Sequence, residues 1–124
     1  MRRSVTLGEM TLAEQRAAYV RRLEEAVERI RTVLANVPGM RHVSLFGSYA
    51  QGWRDLFTDL DLFVVWDTDR SLLERQRYLY SLLSLSVDLD IVCYTPAELA
   101  AAADSPLNRH LLKEEVVLFE PKPA

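Results

Sequence analysis

The chain has 124 residues, of which 49% are hydrophobic and 27% charged, which is typical of one ordinary domain with one core. Its formal net charge of −3 argues against a protein that grips long nucleic acids, because that role needs clustered cations. No segment approaches the roughly 20 apolar residues of a membrane span, and the N-terminus lacks the apolar region of a signal peptide. We therefore expect a single domain over residues 1–124 that is soluble and cytoplasmic, without stable nucleic-acid binding and without membrane association.

Cysteine and histidine are too sparse for a zinc site. The only cysteine is Cys93, which excludes an intramolecular disulfide and fits a reducing compartment. His42 and His110 have no cysteine or histidine partner at ligand spacing. Any metal site must therefore be built from carboxylates.

Residues 11–35 are predicted to form one long amphipathic helix. Its apolar residues recur at steps of three and four and form a single stripe: Val20, Leu23, Val27, Ile30 and Leu34. Thr11 with Glu14 matches a capping box at the start. The run 36–39 contains Asn, Pro and Gly, which favour a helix end.

Short strands and helices alternate through the rest of the chain. Strands are predicted at 42–46, 60–66, 87–94 and 116–119, and helices at about 71–83, from 95, at 105–114, and briefly after Gly47-Ser48. The run 60–66 is almost wholly apolar, which is typical of a central strand. The order predicts an α/β (α+β) fold, a small mixed sheet flanked by helices with a long N-terminal helix.

Two carboxylates at the start of the central strand indicate a metal site. Because strand side chains alternate, Asp59 and Asp61 point to the same face, about 7 Å apart. Carboxylates held together repel each other unless a cation offsets them. Mg²⁺ is the natural occupant, since it takes one or two carboxylates together with water and substrate phosphate. Asp88 and Asp90 both lie on one face of the third strand, and alternation alone does not choose between them.

The turn after the first strand is suited to phosphate. Gly47 and Ser48 close that strand and lead into a short helix, so backbone N–H groups and a hydroxyl are available to phosphate oxygens. Gly52 then allows the chain to reverse. The sequence thus predicts a phosphate-binding turn immediately before the carboxylate strand.

As a set, these residues resemble the polymerase-beta-like nucleotidyltransferase superfamily, and most closely its minimal nucleotidyltransferases. In that family a strand ends in Gly-Ser, a D-x-D or D-x-E stands on the next strand, and a third Asp follows on another strand. The similar positions here are Gly47-Ser48, then Asp59 with Asp61, and then Asp90. The resemblance covers about residues 41–120 and favours Asp90 over Asp88, because the family's third Asp precedes an apolar triplet and a Thr/Pro/Glu helix start.

One departure from the family concerns the phosphate turn. The family often has Arg shortly after its Ser, whereas this chain has Tyr49 and Gln51. Arg54 is the candidate that could supply the missing charge, although a lone loop Arg is more often a surface residue. D-x-D occurs three times in the chain, at 59/61, 67/69 and 88/90. The pair Asp67 and Asp69 is assigned to a turn and helix start.

The resemblance implies a nucleotidyltransferase that uses two Mg²⁺ ions. Asp59, Asp61 and Asp90 would hold the ions, and Gly47, Ser48 and Arg54 would bind the nucleotide. An acceptor hydroxyl would attack the α-phosphorus of ATP or another nucleoside triphosphate and release pyrophosphate, with Asp90 able to take the proton.

The acceptor is expected to come from outside the chain. Minimal members of the family are often paired with a helical HEPN partner, and some act as antitoxins by adding AMP to a tyrosine of that partner. Two alternatives remain open: transfer to a small molecule of the aminoglycoside type, and a docking module without catalysis that binds a nucleotide or a partner.

Overall fold

The computed structural model describes residues 10–122. Its elements in chain order are α1 (Leu12–Ala35), β1 (Met40–Phe46), α2 (Gly47–Ala50), β2 (Leu60–Trp66), α3 (Leu72–Leu83), β3 (Leu89–Tyr94), α4 (Pro96–Ala102), α5 (Pro106–Glu114) and β4 (Val116–Phe119). Within these residues no helix is both long enough and apolar enough to cross a membrane. The expectation about a signal segment in residues 1–9 lies outside the described residues.

The four strands form one mixed sheet with the order β3-β2-β1-β4. Strand β1 runs antiparallel to both β2 and β4, whereas β2 and β3 are parallel. Strand β2 is therefore internal, and six of its seven residues are buried. The prediction of a small mixed sheet flanked by helices, with Leu60–Trp66 as a central strand, is confirmed.

Helix α1 covers one face of the sheet together with α3. The predicted capping box is present, with the Thr11 hydroxyl accepting from the Glu14 backbone N–H and the Glu14 carboxylate accepting from the Thr11 N–H. The buried residues of α1 are Leu23, Ala26, Val27, Ile30 and Leu34. They share one core with Leu60, Leu62 and Val64 of β2, so the sheet buries the predicted stripe from Leu23 to Leu34, whereas Val20 is only partly buried.

The opposite face of the sheet carries a smaller core and the candidate site. Phe63 and Val65 of β2 pack there with Leu111 of α5. Asp61 precedes Phe63 by two residues, so side-chain alternation places its carboxylate on this face as well. The end of the sheet that begins β2 therefore presents polar groups beside a small apolar cluster.

Side chains of α3 donate hydrogen bonds to the open edge of strand β3. Tyr80, Gln76 and Arg75 donate to the carbonyls of Leu89, Ile91 and Cys93, in that order along the strand. Arg75 is 3% exposed and also binds both carboxylate oxygens of Glu98 in α4, at 2.8 and 3.0 Å. These bonds satisfy edge carbonyls that no strand within residues 10–122 reaches.

Two strand boundaries differ from the prediction. Strand β1 begins at Met40 rather than at residue 42, with a register irregularity between Met40 and His42. Strand β3 begins at Leu89 rather than at residue 87, because its pairing with β2 starts at Leu60 opposite Leu89. Asp88 therefore precedes the strand, and its carbonyl accepts a hydrogen bond from the Leu60 N–H.

Candidate active site

The central feature of the site is a pair of carboxylates on neighbouring strands. Asp61 of β2 and Asp90 of β3 are direct partners in the parallel register. Alternation places both side chains on the same face, because each precedes by two residues a member of the smaller core, Phe63 and Val92. Asp61 is partly buried and Asp90 is exposed.

Asp59 and Asp88 flank this pair at the ends of the strands. Asp59 immediately precedes β2 and Asp88 immediately precedes β3, and both are exposed. All four acidic residues thus lie at one end of two adjacent strands. The registered partner of Asp61 is Asp90 and not Asp88.

The electrostatics of Asp61 reflect this crowding. Its pKa is raised above the ordinary aspartate value, first by burial, then by the charge of Asp90 and then by that of Asp59. Like charges close together disfavour ionisation of each other. The ionised form of Asp61 is therefore destabilised, and a cation placed here would relieve it.

These residues supply carboxylate oxygens, which Mg²⁺ prefers as ligands, but they do not complete a coordination shell by themselves. Among residues 10–122, no three Asp, Glu, His or Cys side chains are arranged to hold a metal ion. Magnesium sites commonly use one or two carboxylates and complete the octahedron with water and substrate phosphate. Asp61 with Asp59 or Asp90 satisfies that smaller requirement.

Gly47 brings the predicted phosphate turn against the carboxylate of Asp61. It has φ +71, in the left-handed region, and a Cβ atom built on it would lie 2.2 Å from Oδ2 of Asp61. Phe46, the residue before it, is the antiparallel partner of Asp61. Only glycine allows both the backbone conformation and this close approach. The predicted Gly-Ser turn and the predicted carboxylate therefore meet at one point.

Helix α2 begins at Gly47 and has one turn. The first N–H groups of a helix have no partner within the helix, and Ser48 is exposed. The Ser48 carbonyl accepts from the Trp53 N–H, which folds the following segment back on the turn. The geometry can thus present N–H groups and a hydroxyl next to Asp61.

Arg54 is fixed on the phosphate turn by three contacts. Its guanidinium lies over the ring of Tyr49, 3.4 Å from the centroid. Its Nη1 donates to the carbonyls of Tyr49 and Trp53, at 2.7 and 2.9 Å. The side chain is therefore held beside α2, where it adds positive charge to the turn, rather than extending freely from a loop.

A small cleft on the other side of the turn was not predicted. Its volume is about 120 Å³, and Gly47, Gln51, His110 and Glu114 are among its lining residues. Gln51 donates to Glu114 across it at 3.1 Å, which joins α2 to α5. No local sequence signal indicates this contact, since it depends on where α5 packs.

A larger cavity of about 610 Å³ lies elsewhere on the same face, bordered by Val65, Pro96, Leu99 and Leu112 among others. Its lining contains none of the four acidic residues at the strand ends and is mainly apolar. The four acidic residues at the strand ends therefore lie outside this larger cavity.

Comparison with known structures identifies the same fold in several proteins. A protein from Sulfolobus solfataricus, named as a candidate nucleotidyltransferase, is 18% identical with a TM-score of 0.52, and the match covers 93% of each chain. A chain from the complex of a tri-AMPylated Shewanella oneidensis HEPN toxin with MNT antitoxin is 21% identical with a TM-score of 0.53, covering 81% of this chain and 73% of that one. A chain from a toxin–antitoxin structure with AMP-PNP is 22% identical with a TM-score of 0.52, covering 80% and 73%.

A search of curated proteins gave no significant match. The family model for polymerase beta nucleotidyltransferases, in contrast, matches residues 28–124. That match includes the Gly-Ser turn, both carboxylate strands and the closing strand β4. The chain therefore belongs to the polymerase beta nucleotidyltransferase family.

Proposed function

We propose that this protein transfers a nucleoside monophosphate from a nucleoside triphosphate, most simply AMP from ATP, to a hydroxyl of an external acceptor. The observation that carries the proposal is the contact of Gly47 with Asp61, which joins a turn suited to phosphate to a carboxylate suited to metal. Asp90, in register with Asp61, supports the same assignment.

Asp59, Asp61 and Asp90 are the residues that would hold two Mg²⁺ ions. When bound, the ions would neutralise phosphate charge and lower the pKa of the acceptor hydroxyl. The support in this chain is the raised pKa of Asp61, which burial and two neighbouring carboxylates produce. A cation would remove that cost, whereas a purely structural role offers no reason to place these acids at the ends of adjacent strands.

In the proposed reaction the acceptor oxygen forms a bond to the α-phosphorus of the nucleotide. The bond from that phosphorus to the oxygen bridging to the β-phosphate breaks, and pyrophosphate leaves with the electron pair. The hydroxyl proton goes to Asp90, whose exposed carboxylate an acceptor can approach from solvent. Asp90→Asn should therefore reduce turnover more than Asp88→Asn, and a larger loss at Asp88 would reverse the assignment.

Gly47 and Ser48 would bind the triphosphate, with Arg54 adding charge beside them. Arg54 is anchored on Tyr49, so the chain departs from the family's usual arginine position without losing a cation at the turn. Ser48→Ala should weaken binding of a non-hydrolysable ATP analogue by about 1.5–3 kcal/mol, the contribution of a hydrogen bond to a charged group. Calorimetry in Mg²⁺ measures this loss.

For the acceptor we favour a tyrosine of a HEPN-type helical partner, with this chain acting as an antitoxin. The support is the shared fold with chains of toxin–antitoxin complexes, one containing a tri-AMPylated HEPN toxin. The test is mass spectrometry of the partner after incubation with ATP and Mg²⁺. We expect an added AMP on tyrosine with the wild-type protein and none with Asp61→Asn.

A docking module without catalysis is the second candidate, because two large aromatic side chains project beside the site. Trp53 is 63% exposed and Phe57 is 90% exposed, and such residues often contact proteins. In this case the partner would bind equally well to wild type and Asp61→Asn, would stay unmodified, and would lose affinity with Trp53→Ala. That pattern would replace the transferase proposal.

A further inference from the structure

Two tyrosine hydroxyls bind the backbone next to two of the proposed catalytic carboxylates. The Tyr19 hydroxyl of α1 donates to the Thr58 carbonyl at 3.0 Å, and Thr58 directly precedes Asp59. The Tyr80 hydroxyl of α3 donates to the Leu89 carbonyl at 2.7 Å, and Leu89 directly precedes Asp90. Each tyrosine therefore holds the peptide group that joins its carbonyl to an aspartate.

Both carbonyls lie outside the hydrogen bonds between the strands of the sheet. Thr58 belongs to the segment between α2 and β2, outside the strand ladder. Leu89 begins β3, an edge strand of the sheet that the described residues form, so its outer carbonyls face no further strand of that sheet. A buried carbonyl without a hydrogen-bond partner costs free energy, and a hydrogen bond from a side chain limits how its peptide group can reorient. The tyrosines supply the missing donors from the helical layer on the other face.

The pKa shifts of the two phenols are consistent with a position near the aspartates at the strand ends. The pKa of Tyr19 is raised by burial and then by the charges of Asp88 and Asp59. The pKa of Tyr80 is raised by burial and then by Asp90. Both hydroxyls therefore stay protonated at neutral pH and keep donating their hydrogen bonds.

We propose that Tyr19 and Tyr80 are positioning residues that hold Asp59 and Asp90 in the orientation that binding of metal and nucleotide requires. This inference depends on the proposed function of the carboxylates. It also gives α1 a role beyond core packing, because Tyr19 lies on this helix. Tyr19 stands outside the match to the family model, which begins at residue 28. Neither tyrosine would touch the nucleotide, since each acts through a backbone carbonyl.

The chain offers a matched control for removing each hydroxyl. Tyr78 is also on α3, and its ring packs against Trp66 and Arg70. Its hydroxyl makes no hydrogen bond within the part of the chain that the structure describes. Tyr78→Phe therefore removes a phenolic oxygen without releasing a carbonyl.

The experiment measures binding of a non-hydrolysable ATP analogue by calorimetry over a range of Mg²⁺ concentrations, well below the unfolding temperature. Tyr19→Phe and Tyr80→Phe should each weaken binding about two- to tenfold, the effect of one ordinary hydrogen bond, and should raise the Mg²⁺ concentration needed for half-maximal binding. Hydrogen exchange should quicken near Asp59 in the first variant and near Asp90 in the second. Tyr78→Phe should match wild type in all of these readouts.

A merely structural role would lower the thermal stability of Tyr19→Phe and Tyr80→Phe and leave the Mg²⁺ dependence of binding unchanged, which would overturn the inference. Failure of wild type to bind the analogue at any Mg²⁺ concentration would instead remove the proposed function and the inference with it. The two failures are therefore distinguished by the wild-type titration.

Discussion

A Cβ built on Gly47 would lie 2.2 Å from Oδ2 of Asp61, so the backbone of the predicted phosphate turn lies directly against this carboxylate. Gly47→Ala should displace the Asp61 carboxylate and abolish binding of an ATP analogue with Mg²⁺. Because alanine is strained at the left-handed φ of this position, the substitution should also lower the free energy of unfolding by about 1–2 kcal/mol. Calorimetry and urea unfolding measure the two effects.

Gly52 provides the control for backbone strain. It has φ +101, and no atom of residues 10–122 lies within 4 Å of a Cβ built there. Gly52→Ala should therefore lower stability and preserve most of the nucleotide affinity. Equal losses of nucleotide binding in the two variants would mean that strain, and not contact with Asp61, explains the effect.

Asp61 should destabilise the metal-free protein at neutral pH. Its pKa is raised by burial, Asp90 and Asp59, so between the ordinary and raised values the folded state binds more protons than the unfolded state. Stability from this group therefore increases as pH falls through that window. Asp61→Asn should raise the free energy of unfolding at neutral pH, by less than about 1 kcal/mol because the group is partly exposed.

The same variant should lose the stabilisation that wild type gains from Mg²⁺ and nucleotide. Urea unfolding with and without Mg²⁺ and an ATP analogue checks both signs. A metal-free Asp61→Asn protein less stable than wild type would contradict the electrostatic account of this carboxylate.

The Arg75–Glu98 pair should have the opposite pH dependence. The hydrogen bonds from Arg75, followed by that from the Thr95 backbone N–H, lower the pKa of Glu98 to about 2. Its contribution to stability is complete above the unfolded pKa near 4.5 and is lost as pH falls through about 2. Glu98→Gln should lower stability at neutral pH by about 0.5–1.5 kcal/mol, because it removes the negative charge beside a buried guanidinium while solvent screens the half-exposed side chain at position 98.

Acid titration of the unfolding free energy checks this linkage. The difference between wild type and Glu98→Gln should shrink between about pH 4.5 and about pH 2. A difference that is constant over this range would show that Glu98 acts only as a neutral hydrogen-bond acceptor.

Helix α1 should be an integral part of the core and not a detachable arm. Ile30 is 0% exposed and packs in the cluster that includes Leu60 and Leu62 of β2. Ile30→Ala should lower the free energy of unfolding by about 2–5 kcal/mol, whereas Glu24→Ala on the exposed side should change it by less than about 0.5 kcal/mol. Similar small changes at both positions would indicate that α1 docks only loosely.

Elements with strong local signals were predictable from the sequence. Thr11 with Glu14 marked the start of α1, because a capping box involves residues only three positions apart. The apolar run at 60–66 marked β2 as the central strand for a similarly local reason. Strand β4 was also predicted with its observed bounds.

Relationships between distant residues were not predictable in the same way. Alternation alone left Asp88 and Asp90 equivalent, and only the register of β3 on β2 pairs Asp90 with Asp61. The ring of His42 lies between the carboxylates of Glu115 and Glu120, a contact that depends on the pairing of β4 with β1. The hydrogen bonds of Tyr19 and Tyr80 likewise depend on how the helices pack on the sheet. That packing cannot be predicted from local patterns in a single sequence.

The most direct test of the account is a calorimetric titration of a non-hydrolysable ATP analogue with Mg²⁺ into three proteins. They are wild type, the double variant Asp59→Asn/Asp61→Asn, and the control Asp67→Asn/Asp69→Asn. The control alters the D-x-D that follows β2, where Asp67 pairs with Arg41. We predict binding by wild type and by the control, and none by Asp59→Asn/Asp61→Asn. Equal binding by all three proteins, or no binding by wild type with its partner present, would contradict the assignment of a metal-dependent nucleotide site to these carboxylates.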